Sequence, residues 1–243
     1  MIVDDLLGEA ESTLSKRVIA DVRIGLGYTA VLLDDEGCGL AGTLVEESRH
    51  CCTLLAGAGE LIGKPALEVA AYAKSSDPVA SSVGIATLNA VLNRDGEPSP
   101  RPLDVLPIDG ATVGMVGYFG PLIGELRRRA KSLTIFERRS LSPDVLPDWA
   151  AERELPTCDI VLITSLTLVN KTLDHLLQLA RGEVALIGPT TPLSPVFARY
   201  GVSHLFASVV VDPKRVLATV SQAGGTQRFK DAVKKVYWQL KQE

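Results

Sequence analysis

Long apolar runs are missing from this 243-residue chain. None approaches the roughly 18 residues that a membrane-spanning helix needs. The longest, from Ile160 to Val169, is interrupted by Thr164, Ser165 and Thr167. The opening Met1-Ile2-Val3-Asp4-Asp5 carries acids where a secretory leader carries its basic region, so no membrane partner and a cytoplasmic location are expected. Cysteine is scarce: four residues, of which Cys51 and Cys52 are adjacent and Cys38 and Cys158 stand apart. That spacing excludes a disulfide framework and a closed zinc site built on C-x₂-C pairs. Ligation of a metal by Cys38, His50, Cys51 and Cys52 stays open beside buried, inert thiols, whereas Cys158 and His175 are isolated in the sequence. An excess of basic charge is also lacking, with 25 Lys and Arg against 29 Asp and Glu, which argues against nucleic acid as a partner. No G-x-S-x-G motif is present, so a hydrolase nucleophile elbow is excluded.

What is present is an ordinary globular composition, 46% hydrophobic and 22% charged, long enough for one large domain or two modest ones. A helix is expected over Leu6–Lys16. Val22, Ile24, Leu26 and Tyr28 alternate with polar or small residues as one strand, and Asp34-Asp35-Glu36-Gly37 turns the chain into a second extended run over Cys38–Val45. Pro65 and Asp77-Pro78 open two helices, the second reaching about Asn93. Residues 94–107 hold Pro98, Pro100, Pro102 and Pro107, the composition of a stiff connection, and the expected division is 1–97 and 98–243.

Beyond it, strand and helix alternate. Strands are expected at Thr112–Val116, Ser132–Phe136, Ile160–Thr164, Val184–Ile187 and His204–Val211, with helices at Pro121–Ala130, Thr172–Arg181 and Pro192–Tyr200. This alternation predicts a mainly parallel sheet covered on both faces. Phe229, Val233, Val236, Tyr237 and Leu240 have helical spacing, so Thr226–Leu240 is expected to close the chain as an amphipathic helix.

Three strand-to-helix turns carry the residues of chemical interest. Gly117-Tyr118-Phe119-Gly120 follows the first parallel strand, where a dinucleotide fold holds phosphate against free helix N–H groups. Phe119 stands where the second glycine of G-x-G-x-x-G belongs and crowds that approach, while Tyr118 and Phe119 offer rings for a flat ligand. Glu137, twenty positions after Gly117, fits either a ribose contact or a solvated strand end. The other two turns are rich in small polar residues: Thr164, Ser165, Thr167, Asn170 and Lys171 in one, Gly188, Thr190 and Thr191 in the other. Helix capping accounts for part of this pattern; convergence at the carboxyl edge of one sheet, facing a small molecule, accounts for the rest.

Gly84-Ile85-Ala86-Thr87-Leu88-Asn89-Ala90, Gly117-Tyr118-Phe119-Gly120-Pro121, Thr164–Thr172 and Gly188-Pro189-Thr190-Thr191-Pro192-Leu193 together resemble the prokaryotic family named "putative heavy-metal chelation". The resemblance implies an α/β fold with an α+β domain like the N-terminal domain of enolase followed by a Rossmann-like domain, and a ligand cleft between them. It also implies that Asn89 joins Tyr118, Phe119, Glu137, Thr167, Asn170, Thr190 and Thr191 at that cleft, with Lys171 facing an anionic group. Ser165 and Lys171 stand where the family pattern leads one to expect glycine. The implied ligand is a heavy metal or a metal-containing small molecule, ahead of a nucleotide, and pairing of two copies is a further expectation. Three activities remain open: a small-ligand-binding protein, a nucleotide-cofactor-dependent oxidoreductase or transferase, and a protein that ligates metal directly. No cofactor and no catalytic residue is identified by the motifs themselves.

Overall fold

Apolar periodicity builds the first part of the chain around one small sheet. The computed structural model describes residues 1–47, 55–138 and 144–241. Helix α1 (Ile2–Leu14) buries Ile2, Leu6, Ala10 and Leu14 on a single stripe, the i, i+4 spacing of a helix face. Strands β1 (Ile19–Ile24), β2 (Tyr28–Leu33) and β3 (Cys38–Gly42) pair antiparallel in that order. The single strand expected through Tyr28 is therefore two, because the chain reverses at Gly25-Leu26-Gly27. The Gly25 N–H bonds the Tyr28 carbonyl at 2.8 Å, and a Cβ on Gly25 would collide with the carbonyl oxygen of Val220. Leu26, which alternation placed on the buried face, is 71% exposed at the tip of that turn.

Helices α2 (Ala66–Ala70) and α3 (Pro78–Leu92) start where Pro65 and Asp77-Pro78 placed them. The Asp77 carboxylate accepts the N–H groups of Val79 and Ala80, both at 2.9 Å, and so fills two of the donors a helix start leaves free. Every residue from Ser81 to Ala90 is buried. A helix apolar all round must be covered all round, and α3 lies between the small sheet and the rest of the molecule.

Residues 94–107 are more than a connection. They contain β4 (Glu97–Pro98) and α4 (Pro102–Val105), and Pro98 is tolerated because β4 is the edge strand of the second sheet. The chain then forms β5 (Thr112–Val116), α5 (Gly120–Arg129), β6 (Ser132–Phe136), β7 (Val145–Leu146), α6 (Ala151–Glu154) and β8 (Ile160–Thr164). It continues through α7 (Leu166–Val169), α8 (Leu173–Leu179), β9 (Glu183–Ile187), β10 (Val202–Val210), α9 (Pro213–Ser221) and β11 (Val233–Gln239). These eight strands lie in the order β4-β11-β10-β9-β8-β5-β6-β7. All pairings are parallel from β10 to β7, while β11 is antiparallel to both of its neighbours. Counted along the chain, the parallel strands run 3-2-1-4-5-6, which reverses direction between β5 and β8; open sheets bind ligands at the carboxyl end of such a switch.

Two expectations at the C-terminal end fail. Residues 192–200 give a 3₁₀ turn, Pro195–Tyr200, instead of a full helix. The closing amphipathic helix is a strand: Val233, Val236, Tyr237 and Trp238 are β-branched or aromatic, and β11 pairs along β10 from Val210 to His204. Val236, Trp238 and Leu240 also alternate as a strand does, and the open edge of β10 decided between the two patterns.

Alternation within the parallel strands assigns the two faces. Val161 and Ile163 of β8 join α1, α3 and the small sheet in one core, whereas Ile160 and Leu162 pack with Val113, Met115 and the α5 residues Ile123 and Leu126. Each such side chain, fully buried, contributes roughly 1.5–3 kcal/mol. The first part of the chain thus covers one face of the large sheet, and its β3–α3 layer meets the carboxyl ends of β8 and β9.

Candidate functional site

The switch between β5 and β8 opens into a pocket of about 260 Å³, near the lower end of small-molecule sites. Its apolar floor comes from the strand ends Val116 and Phe136, from Leu166 at the start of α7, and from Leu176 and Leu179 of α8. Thr172, His175, Leu176 and Leu179 all face it, the i, i+3, i+4, i+7 stripe of one helix side. Leu44 and Glu47, which follow β3 in the chain, also line it. A second depression of about 470 Å³ adjoins it, sharing Glu47, Arg138, Asn170 and Thr172 and running to Ser76–Pro78 at the start of α3.

Gly117 is required at the pocket's base. Its φ is +92°, and an added Cβ would sit 2.8 Å from the Thr164 methyl carbon; only glycine meets both demands. Nearby polar groups are largely pre-engaged. The Thr167 hydroxyl donates to the Thr164 carbonyl at 2.7 Å, and Asn170 Oδ1 accepts from the Thr172 hydroxyl at 2.8 Å. Glu137 Oε1 accepts the Arg138 N–H at 2.8 Å. At the mouth, the Arg138 guanidinium lies 2.6 Å from Glu47 Oε2 and 3.4 Å from Asp148 Oδ2. His175 Nε2 pairs with Glu152 Oε1 across the wall between α8 and α6, and Trp149, 70% exposed, borders the same opening.

Apart from Gly188 and Lys171, the residues singled out in the sequence divide into three groups. Gly117, Glu137, Thr164, Thr167 and Asn170 border the pocket. Tyr118, Phe119 and Gly120 lead away from it: Tyr118 is exposed, Phe119 packs on the core beneath α5, and Gly120 starts that helix. Ser165, Thr190, Thr191 and Asn89 are buried in a latch between α3 and the ends of β8 and β9.

In that latch, Asn89 Nδ2 donates to the carbonyls of Leu40 and Thr190 at 2.7 and 3.1 Å, and the Thr190 hydroxyl accepts the Gly42 N–H at 2.9 Å. The Ser165 and Thr191 hydroxyls lie 2.6 Å apart. Asn93, which sequence patterns did not single out as a site residue, donates to the carbonyls of Thr191 and Ser208 and accepts the Leu193 N–H at 2.7 Å. Gly188, with φ +131°, supplies the turn that leads into this interlock. Asn89 Oδ1 is buried and has no hydrogen-bond partner among the described residues.

Lys171 adopts φ +66°, a backbone shape that glycine takes freely, in keeping with the glycine expected there. Its ammonium donates to the carbonyls of Ala73 and Leu168 and to the Ser81 hydroxyl, and burial lowers its pKa to about 8. It is thereby committed to joining α7 to the first part of the chain.

Comparison with known proteins bears on what this pocket serves. Two family models, each described as "Putative heavy-metal chelation", match residues 8–92 and 101–239. The chain belongs to that family. An uncharacterised protein of Methanocaldococcus jannaschii is 30% identical, with 97% of this chain and 96% of the relative aligned. A crystal structure of a family member of unknown function from Desulfitobacterium hafniense is 26% identical with a TM-score of 0.81, covering 97% of this chain and 99% of its own. Another, from Pyrococcus horikoshii, shares the fold at a TM-score of 0.85 and 23% identity, over 99% of this chain and 100% of its own.

Measured against the family's description, the described thiols do not form a soft-metal centre. Burial pushes the Cys38 thiol up to about 12, with Asp21 adding to it, and burial likewise raises Cys158 to about 11. Metals bind the thiolate, which both sites disfavour. Among the described residues, no three His, Cys, Asp or Glu side chains are grouped to hold an ion. His50, Cys51 and Cys52 lie outside the described residues. No described helix is long and apolar enough to cross a membrane.

Proposed function

We propose that this member of the heavy-metal-chelation family binds a small polar molecule that carries a metal, in the pocket between β5, β6 and β8. One observation supports the reading above others: the pocket lies at the strand-order switch, and both family-matched segments contribute to its wall, Leu44 from the first and the strand ends from the second. An apolar floor with a charged rim suits a ligand with an organic body and polar edges. In this reading the metal arrives already held by the small molecule. Of the sequence candidates, Gly117, Glu137, Thr164, Thr167 and Asn170 belong to this site, and the latch residues position its walls. The reading treats 1–97 as the enolase-N-terminal-like part and 98–243 as the Rossmann-like part. A nucleotide-dependent reaction is the weaker reading, since a dinucleotide would place its pyrophosphate at the start of α5, and Tyr118, Phe119 and Gly120 there are not among the residues that line the pocket.

A thermal-shift and calorimetry panel tests the proposal. The probes are Zn(II), Ni(II), Co(II) and Cu(II) as chlorides and as iminodiacetate or citrate complexes, together with NAD and ATP. A ligand specific for the folded state, at about 100 times its Kd, adds about 2.7 kcal/mol. The expected result is stabilisation by metal complexes that disappears in Leu179→Trp, which fills the floor. Stabilisation by NAD or ATP alone, or none by any complex, overturns it.

A further inference from the structure

We infer that His175 supplies an imidazole ligand to the metal of the bound small molecule, with Glu152 as the positioning residue that orients the ring. The inference rests on the pocket reading and specifies it.

Two observations carry it. His175 sits on the α8 stripe that forms the pocket wall, between Thr172 and Leu176 and one turn before Leu179. Its Nε2 is taken by the Glu152 carboxylate, which also borders the pocket. A histidine that binds metal through one ring nitrogen typically gives its other N–H to a carboxylate, which fixes tautomer and ring orientation; here that partner is present and leaves Nδ1 as the ligating atom. The step is a ligand exchange: the Nδ1 lone pair replaces one water on the metal, the proton on Nε2 stays with the Glu152 contact, and no electron is transferred. An imidazole donor selects borderline ions such as Cu(II), Ni(II), Zn(II) and Co(II) over hard ones.

Copper(II) iminodiacetate, which keeps coordination positions open, is the probe. Electron paramagnetic resonance of the full chain with one equivalent of the complex is expected to show coupling to an imidazole nitrogen. Of the chain's three histidines, His204 is buried, so the informative variants are His175→Gln and His50→Gln. The coupling should vanish in His175→Gln, with binding at least 10-fold weaker, and persist in His50→Gln. Glu152→Gln should keep the nitrogen signal while weakening binding about 10-fold or more. Since His175 is more than half exposed, an unchanged melting temperature is expected to show that His175→Gln folds. Leu179→Trp separates the possible failures. If it abolishes binding and His175→Gln does not, the pocket stands and the histidine assignment falls. If His175→Gln abolishes binding and Leu179→Trp has no effect, the imidazole acts as a surface ligand and the inference is overturned. If neither matters, both readings fall.

Discussion

Gly117 is the residue on which the pocket base depends most directly. Its left-handed backbone and the closeness of Thr164 are separate demands, so Gly117→Ala should cost roughly 1–3 kcal/mol in urea unfolding and weaken any ligand that stabilises the native protein. A cost near zero would show that β5 and β8 separate freely. Cys38 gives a second residue-level prediction, through pH. Its thiol ionises near 9.0 when unfolded and near 12 in the buried site. Between those values the unfolded chain binds fewer protons, so the stability that this thiol contributes is complete below pH 9 and is lost as pH rises. The advantage of the natural chain over Cys38→Ala should therefore shrink by about 1 kcal/mol between pH 8 and pH 10. A constant difference would place the thiol in contact with water.

Elements were legible wherever a local signal had one physical meaning. Asp77-Pro78 is both cap and first turn, and α3 begins there; β5, β6 and β8 start and stop where their apolar runs do. Legibility failed where a distant partner chose between two patterns. The β11 residues satisfy helical spacing, but β10 had an edge to be paired. Leu26 satisfies strand alternation, but Val220 stands where the strand would need a side chain on Gly25. Helix α9 went unnoticed despite Asp212-Pro213, whose carboxylate accepts the Arg215 N–H at 3.0 Å. The latch between α3 and the β9 turn carries its own prediction. Asn93→Ala removes two donors and one acceptor from a buried site, leaving the Leu193 N–H and the Thr191 and Ser208 carbonyls short of partners. Urea unfolding should show a loss of about 3 kcal/mol, larger than that for Asn89→Ala, where an Oδ1 already unpaired among the described residues leaves with the amide. Equal losses would contradict this division of the latch.

Across the whole molecule, the threonine- and asparagine-bearing turns do meet at one end of the sheet, yet they serve two purposes. At β9 they are closed by α3; at β5, β6 and β8 they border an opening. Sequence reading reached the glycine turn, Glu137 and the polar run after β8 because strand ends and spacings are local. It missed Glu47, Asp148, Trp149 and Glu152 and set His175 aside as isolated, because these residues come from segments brought together only by the covering of one sheet face. Of these, His175 had a readable signal in the stripe with Thr172, Leu176 and Leu179. The central claim concerns location, and anomalous diffraction at the copper edge from crystals grown with copper(II) iminodiacetate tests it most directly. The account predicts one strong peak bordered by Thr164, Asn170 and His175; a dominant peak outside that pocket, or none within it, would contradict it.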